Sequence, residues 1–99
     1  MIPPGETLAE TLEVMGITQV ELARRAGRPV QAISEIIREK KKITAETALD
    51  LERVLGVSAR VWLRLEADFR LINARLAERE RLKAKIKLAR DCHIRRLKT

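Results

Sequence analysis

Apolar residues recur every three or four positions along most of the chain, and glycine interrupts this pattern at several points. Leu8, Leu12 and Met15 form the first stripe, which ends at Gly16. Stripes with this spacing are typical of helices that bury one face. Gly16, Gly27 and Gly56, together with the basic run before Thr44, divide the chain into five helices, and the sequence therefore predicts an all-α fold.

Local signals predict where these helices begin. Two prolines precede the first helix, and Pro29 is tolerated in the first turn of the third because its missing N–H would have no intrahelical partner. Thr18 is followed three residues later by Glu21, which is the spacing of a capping box. Thr44 and Ser58 are the predicted N-caps of the fourth and fifth helices, and Gly56 ends the fourth.

The stretch from Gln19 to Ile37 predicts two short helices joined by a tight turn. Ala23 lies where two crossing helices come closest, and Gly27 lies where the chain must reverse, a position that often needs positive φ. Five apolar residues of this stretch recur at three- and four-residue spacing, and most of them would form a stripe that packs against a third helix: Leu22, Ala26, Val30, Ile33 and Ile37. This is the pattern of a helix-turn-helix.

Together with PPGETL before it and KKKITAETALDLERVLGVSARVWLRLEA after it, this stretch resembles the HigA-like antitoxins of the phage-repressor-type (XRE) helix-turn-helix family. The resemblance covers residues 3–76 and includes the Ile-Thr pair before the fourth helix and Trp62 in the fifth. It implies a five-helix, repressor-like domain. The chain departs from the family pattern at Arg28-Pro29, where a Ser or Thr commonly caps the third helix.

If the third helix enters the major groove, its outward side chains meet base edges. Glutamine can bind adenine in bidentate fashion, glutamate can accept from cytosine, and alanine or valine can contact a thymine methyl. Ordinary solvated helix positions are the alternative explanation for Gln31 and Glu35. The candidate base-reading residues are Val30, Gln31, Ala32, Ser34 and Glu35.

A basic run follows the predicted reading helix and would lie beside a phosphate strand. Such a run is also compatible with a solvated surface, but cations in that position supply affinity that does not depend on sequence. The candidate phosphate contacts are Gln19, Arg28, Arg38, Lys40, Lys41 and Lys42.

The fifth helix carries a broad apolar face that could form either the monomer core or a dimer contact. Repressors of this kind usually bind two half-sites as dimers, and the candidate dimer or core residues are Trp62, Leu65, Phe69 and Ile72. We expect a DNA-binding domain over residues 1–76 and a basic extension, helical or frayed, over 77–99. Three hypotheses for the function of the extension stay open: nonspecific DNA contact, binding of an acidic partner, and folding onto a partner.

The net charge of +7 on 99 residues is unevenly distributed. Residues 1–69 hold ten Lys or Arg and eleven Asp or Glu, a net of −1, whereas residues 70–99 hold eleven and three, a net of +8. One cysteine and one histidine, the adjacent Cys92 and His93, argue against a disulfide, a metal site or catalysis. No membrane segment or signal peptide is recognised, so we expect a cytoplasmic protein without a cofactor.

The resemblance implies a repressor that binds double-stranded DNA at a two-fold symmetric operator as a homodimer and neutralises a small, mRNA-cleaving toxin. Glu6, Glu10 and Glu13 on the first helix form an acidic face that could receive a basic toxin, or an ordinary solvated face. Two alternatives stay open: a free-standing transcriptional regulator without a toxin, and a basic interaction module. An enzyme is not expected, because no catalytic motif is present.

Overall fold

The computed structural model describes the backbone of residues 2–98 and the side chains of residues 2–92. It contains five helices, and the all-α prediction is confirmed. They are α1 (Pro4–Met15), α2 (Gln19–Ala26), α3 (Val30–Ile37), α4 (Ala45–Leu55) and α5 (Ala59–Lys98). Along the described part of the chain, no helix combines the length and the apolar composition needed to cross a membrane.

The threonine and glycine signals mark helix ends as predicted, whereas the proline signals are each displaced by one residue: Pro4 is the first residue of α1, and Pro29 lies just before α3. The Thr18 hydroxyl accepts from the Glu21 N–H at 3.1 Å, and the Thr44 hydroxyl accepts from the Thr47 N–H at 3.3 Å. Gly27 ends α2 with φ of 68°, as the turn requires. Only half of the capping box forms, because the Glu21 carboxylate turns to Arg24 and Arg25 instead of reaching back to the cap.

A single apolar core joins the first four helices to the start of α5. α3 packs against α1 and α2, and α2 packs against α4. Because the largest fully buried side chains come from different helices, the core holds the helix-turn-helix rigidly against its neighbours. They are Trp62, Leu8, Leu22, Ile33, Leu51 and Pro4.

Three positions differ from a simple apolar stripe. Met15 is predicted to pack inward but is 45% exposed, because it is the last residue of α1 and has no further turn beside it to complete a pocket. Val30 has the spacing of the stripe and is also a candidate base-reading residue; as the first residue of α3 it is 45% exposed and does not pack inward. Ile36, which the stripe did not include, is buried instead, because α3 begins at Val30 and turns this side chain towards the core.

The chain divides into two compact units, Met1–Phe69 and Arg70–Thr99. The first contains the helix-turn-helix and its core. In the second, the side chains from Asn73 to Cys92 are all exposed. The long basic C-terminal helix is confirmed, while the functional boundary at residue 76 stays a prediction.

Candidate nucleic-acid interface

One side of α3 packs against the apolar core, and the other side faces solvent. Ile33 is fully buried and Ile36 is 5% exposed, and these two side chains hold the helix against the core. On the other side, Val30 and Gln31 are exposed, and Ala32, Ser34 and Glu35 are half-buried. All five predicted base-reading residues therefore reach solvent from one short helix that cannot easily shift.

Gln31 and Glu35 form a connected pair on this open side. The Gln31 Nε2 donates to Glu35 Oε1 at 3.1 Å, and Lys41 Nζ lies 3.9 Å from Glu35 Oε2. The four-residue spacing brings the first two side chains together on the helix surface. Since the amide nitrogen has two N–H groups and the amide oxygen accepts, Gln31 keeps a donor and an acceptor directed to solvent.

Arg28 in the turn is held by α4. Its Nε donates to Asp50 Oδ2 at 2.5 Å, and both side chains are mostly covered, at 28% and 18% exposure. Arg53 lies 3.4 Å from the second Asp50 oxygen and reaches the Ala26 carbonyl at 3.5 Å. The departure from the family pattern at Arg28-Pro29 thus has a structural consequence: the turn is tied to α4 by a charged pair, and no side chain caps α3.

The basic run leaves α3 through a tight reversal. Glu39 adopts φ of 61°, and the N–H groups of Lys40 and Lys41 both point at the Glu35 carbonyl, at 2.8 and 3.2 Å. The side chains of Arg38, Lys40, Lys41 and Lys42 are exposed. The reversal therefore keeps four cations beside the end of the candidate reading helix.

A cleft of about 210 Å³ joins the turn to the basic run. Four of the predicted site residues line it together: Arg28, Ala32, Lys41 and Lys42. Ile36 of α3 and Thr44 and Thr47 from the start of α4 complete the lining. The structure thus brings predicted base and phosphate contacts to one surface.

Gln19 lies apart from this cleft, as the exposed first residue of α2. Two residues on, the hydrogen bond from Arg24, with a second from Arg25, lowers the pKa of the Glu21 carboxylate below its ordinary value. The hydrogen bond between Arg24 and Glu21 also raises the pKa of the Arg24 guanidinium. The Glu21 cluster fixes two arginines on α2, whereas Gln19 lies at the positive end of the helix, where a phosphate is favourably bound.

The candidate dimer residues have unequal exposure. Trp62 is fully buried and its indole Nε1 has no hydrogen-bond partner among the described residues, so it is a core residue. Leu65 is half-buried and packs against the core. Phe69 and Ile72 are also half-buried. A dimer contact through the last three stays a prediction.

Glu66 is a residue that sequence reasoning missed. It is 6% exposed, and its Oε1 accepts from the Ile43 N–H at 2.5 Å. This bond holds the loop between the basic run and α4. The one available signal was a carboxylate placed among apolar positions of α5, which is uncommon unless the group has a partner.

Comparison with known proteins gives one consistent family. The helix-turn-helix family model matches residues 8–62, more than half of the chain. Virulence-associated protein I of Dichelobacter nodosus is 38% identical over 81 residues, which make up 81% of this chain and 72% of that protein.

Two solved structures from Pseudomonas aeruginosa are similar over most of their length. One is the antitoxin HigA with the higBA promoter, with a TM-score of 0.76 and 32% identity over 82% of this chain and 89% of that one. The other is a protein in complex with its 28-bp operator DNA, with a TM-score of 0.76 and 31% identity over 81% and 89% of the two chains. The chain therefore belongs to the helix-turn-helix family, and its likeness to the HigA-like antitoxins is confirmed.

Proposed function

We propose that this chain is a sequence-specific DNA-binding protein that represses its own operon as a dimer and acts as the antitoxin of a HigBA-type toxin–antitoxin pair. The observation that carries the proposal is the open polar side of α3, fixed by Ile33 and Ile36 and bordered by four exposed cations. Among the structures with this fold are HigA with its promoter and a second protein with its operator. The proposed activity is binding in the cytoplasm, without a catalytic step.

Gln31 is the central base-reading residue of this proposal. With one N–H of its amide bound to Glu35, its second N–H and its oxygen can meet the N7 and N6 groups of adenine. The bond to Glu35 reduces the number of rotamers that Gln31 must give up on binding. Val30 and Ala32 supply apolar contacts to thymine methyl groups, and Ser34 supplies a hydroxyl.

Glu35 has a second role in this proposal. Its carboxylate already accepts from Gln31 and lies near Lys41, so its capacity to accept from cytosine is partly used. We therefore assign Glu35 mainly to the orientation of Gln31. A carboxylate on this surface also disfavours placement against phosphate, which helps to select the register of α3 in the groove.

Phosphate contacts are assigned to Arg38, Lys40 and Lys42 beside the end of α3, and to Gln19 at the start of α2. Lys41 shares its charge with Glu35, and the guanidinium of Arg28 is partly occupied by Asp50. We expect these last two to contribute less than the other cations, because their existing partners compete with phosphate.

The partners of the proposal use other surfaces. A two-fold symmetric operator requires a dimer. The partly exposed side chains of Leu65, Phe69 and Ile72 are the candidate contact, since Trp62 is already fully buried. Glu6, Glu10 and Glu13 of α1 are exposed, and no basic residue lies in the last turn of that helix. This acidic surface is the candidate site for a basic toxin.

Two measurements test the proposal. Fluorescence anisotropy with the native promoter duplex and a scrambled duplex should show preference for the promoter by roughly 10³-fold or more at physiological salt. Purification of the tagged chain from its native operon should retain a small neighbouring protein that halts growth when expressed alone. Equal affinity for both duplexes would contradict the repressor function. Promoter preference without any retained protein would leave a plain regulator and contradict the antitoxin function.

A further inference from the structure

The second unit of the chain carries many more basic than acidic side chains. Between Arg70 and Cys92, eight side chains are basic and three are acidic. Arg75, Arg79, Lys83 and Lys87 follow one another at four-residue spacing, and Arg90 comes three residues later. All five are exposed, and we call them the basic ridge.

Helix geometry makes this ridge a continuous row. Residues four apart are neighbours on the helix surface and are separated by about 6 Å along the axis. The row from Arg75 to Arg90 is therefore about 22 Å long. At its far end, Lys83, Lys87 and Arg90 line one shallow depression with Ile86 and Asp91, so the charged groups share one surface.

Most of the ridge is electrostatically unpaired within the described residues. The one ion pair found there joins Lys83 Nζ to Glu80 Oε1 at 3.6 Å, and both side chains are largely exposed. Exposed pairs of this kind contribute little and exchange readily for another anion. Arg75, Arg79, Lys87 and Arg90 make no ion pair with any part of the chain that the structure describes.

The chemistry of the ridge favours a phosphate backbone over a protein partner. Protein interfaces are rich in aromatic residues and arginine and poor in lysine. The ridge supplies arginine, but it also contains two lysines, and the sequence after Phe69 contains no Phe, Tyr or Trp. Protein–DNA interfaces, in contrast, are strongly positive. The first unit also needs such a contribution, because its net charge of −1 provides no overall attraction to a polyanion.

We propose that the basic ridge binds DNA phosphates independently of sequence and adds to the salt-dependent affinity supplied by the cations beside α3, while α3 itself supplies the sequence preference. This proposal rests on the DNA-binding function proposed above and adds a second DNA-contacting surface to it. Each phosphate contact contributes about 0.9 to the slope of log affinity against log salt concentration. The ridge is therefore measurable separately from base reading.

The test compares two full-length variants with equal charge changes. The double variant K83Q/K87Q removes two cations from the ridge. The double variant R81Q/K85Q removes two cations from the opposite side, because each position is two residues, or about 200°, away from its ridge counterpart. Glutamine keeps a high helix propensity, so both variants should retain the circular dichroism of the parent protein.

Affinity for a scrambled duplex is measured between 50 and 200 mM salt. For each copy of the chain bound, K83Q/K87Q should lower the slope by about 2, so that the parent protein loses about 12-fold more affinity over this range than the variant. R81Q/K85Q should leave the slope nearly unchanged, and both variants should retain the parent's ratio of promoter to scrambled affinity.

An unchanged slope in K83Q/K87Q would overturn the ridge proposal, and so would an equal decrease in both variants, which would indicate general charge rather than a defined surface. Loss of a co-purified small protein from K83Q/K87Q, with an unchanged slope, would overturn it in favour of a protein partner. If the parent protein shows no promoter preference, the proposed repressor function fails, whereas the difference in slope between the two variants still decides on the ridge.

Discussion

Replacement of Gly5 by alanine should destabilise the protein strongly, although alanine is the better helix former by up to about 1 kcal/mol. The first turn of α1 presses on the end of α3. A Cβ on Gly5 would lie 2.7 Å from the Ile37 carbonyl oxygen and closer still to the Ile36 carbonyl oxygen. Two backbone oxygens cannot rotate away, so one helix must move.

The size of the stability loss in Gly5→Ala follows from two contacts of the added methyl group. Overpacking of this kind costs about 1 to 3 kcal/mol. The Gly5 N–H donates to Glu39 Oε1 at 2.6 Å, and the new methyl group would displace that carboxylate. Loss of a hydrogen bond to a charged group adds about 1.5 to 3 kcal/mol. After subtraction of the gain of up to about 1 kcal/mol in helix propensity, Gly5→Ala should lower the free energy of unfolding by about 1.5 to 5 kcal/mol.

Thermal unfolding followed by circular dichroism is the assay. For a chain of this size, 2 kcal/mol corresponds to a decrease in Tm of at least about 8 °C. Gly16→Ala is the matched control, because the φ of Gly16 is 68° and, apart from its two neighbours in the chain, no described residue has an atom within 4 Å of the position that a Cβ would take. In that control, the free energy of unfolding should fall only by the cost of placing alanine in the left-handed conformation, about 1 to 2 kcal/mol. A stability of Gly5→Ala equal to or above that of the parent would refute the close contact between α1 and α3.

Three further outcomes are expected. Glu66→Ala should lower the free energy of unfolding in urea by about 1 to 3 kcal/mol, because the Ile43 N–H is left without its acceptor, and Glu66→Gln should lose less; equal losses would argue against the bond. A double-mutant cycle of Arg28→Ala with Asp50→Ala should give a coupling of about 1 kcal/mol, and additive effects would contradict the ion pair between Arg28 and Asp50. The pKa of Glu21 is lowered in the fold, so its contribution to the free energy of unfolding is complete above the ordinary pKa of 4.5 and is lost as pH falls through the lower folded value. The stability difference between the parent and Glu21→Gln should therefore vanish in acid. A difference that stays constant with pH would contradict the pairing of Glu21 with Arg24 and Arg25.

The features that sequence predicted well are local ones. Thr18, Thr44 and Gly27 act on the backbone within four residues of themselves, so their roles follow from the residue type and its position in a pattern. The prediction that Ile33 lies on the inward face of α3 is also confirmed, because an amphipathic helix buries apolar residues that recur every three or four positions. The prediction for Met15 is wrong because this residue lies at the end of α1, where the helical period no longer determines burial.

The contacts that sequence did not predict join distant residues. Gly5 and Glu39 are 34 positions apart, Ile43 and Glu66 are 23 apart, and Arg28 and Asp50 are 22 apart. Each of these bonds depends on how two helices pack, which no local pattern specifies. For the same reason Arg28 was predicted only as a phosphate contact, whereas the fold gives it a carboxylate partner. Base reading and phosphate contact themselves stay predictions.

The most direct test of the account is the effect of Gln31→Ala on sequence discrimination. Affinities of the parent and the variant are measured for the promoter duplex and for duplexes with each base pair changed in turn, with Lys42→Gln as the control. The account predicts that Gln31→Ala loses roughly 1 to 3 kcal/mol of discrimination at one base step, whereas Lys42→Gln weakens binding to all duplexes alike. An unchanged pattern of discrimination in Gln31→Ala would contradict the assignment of α3 as the reading helix.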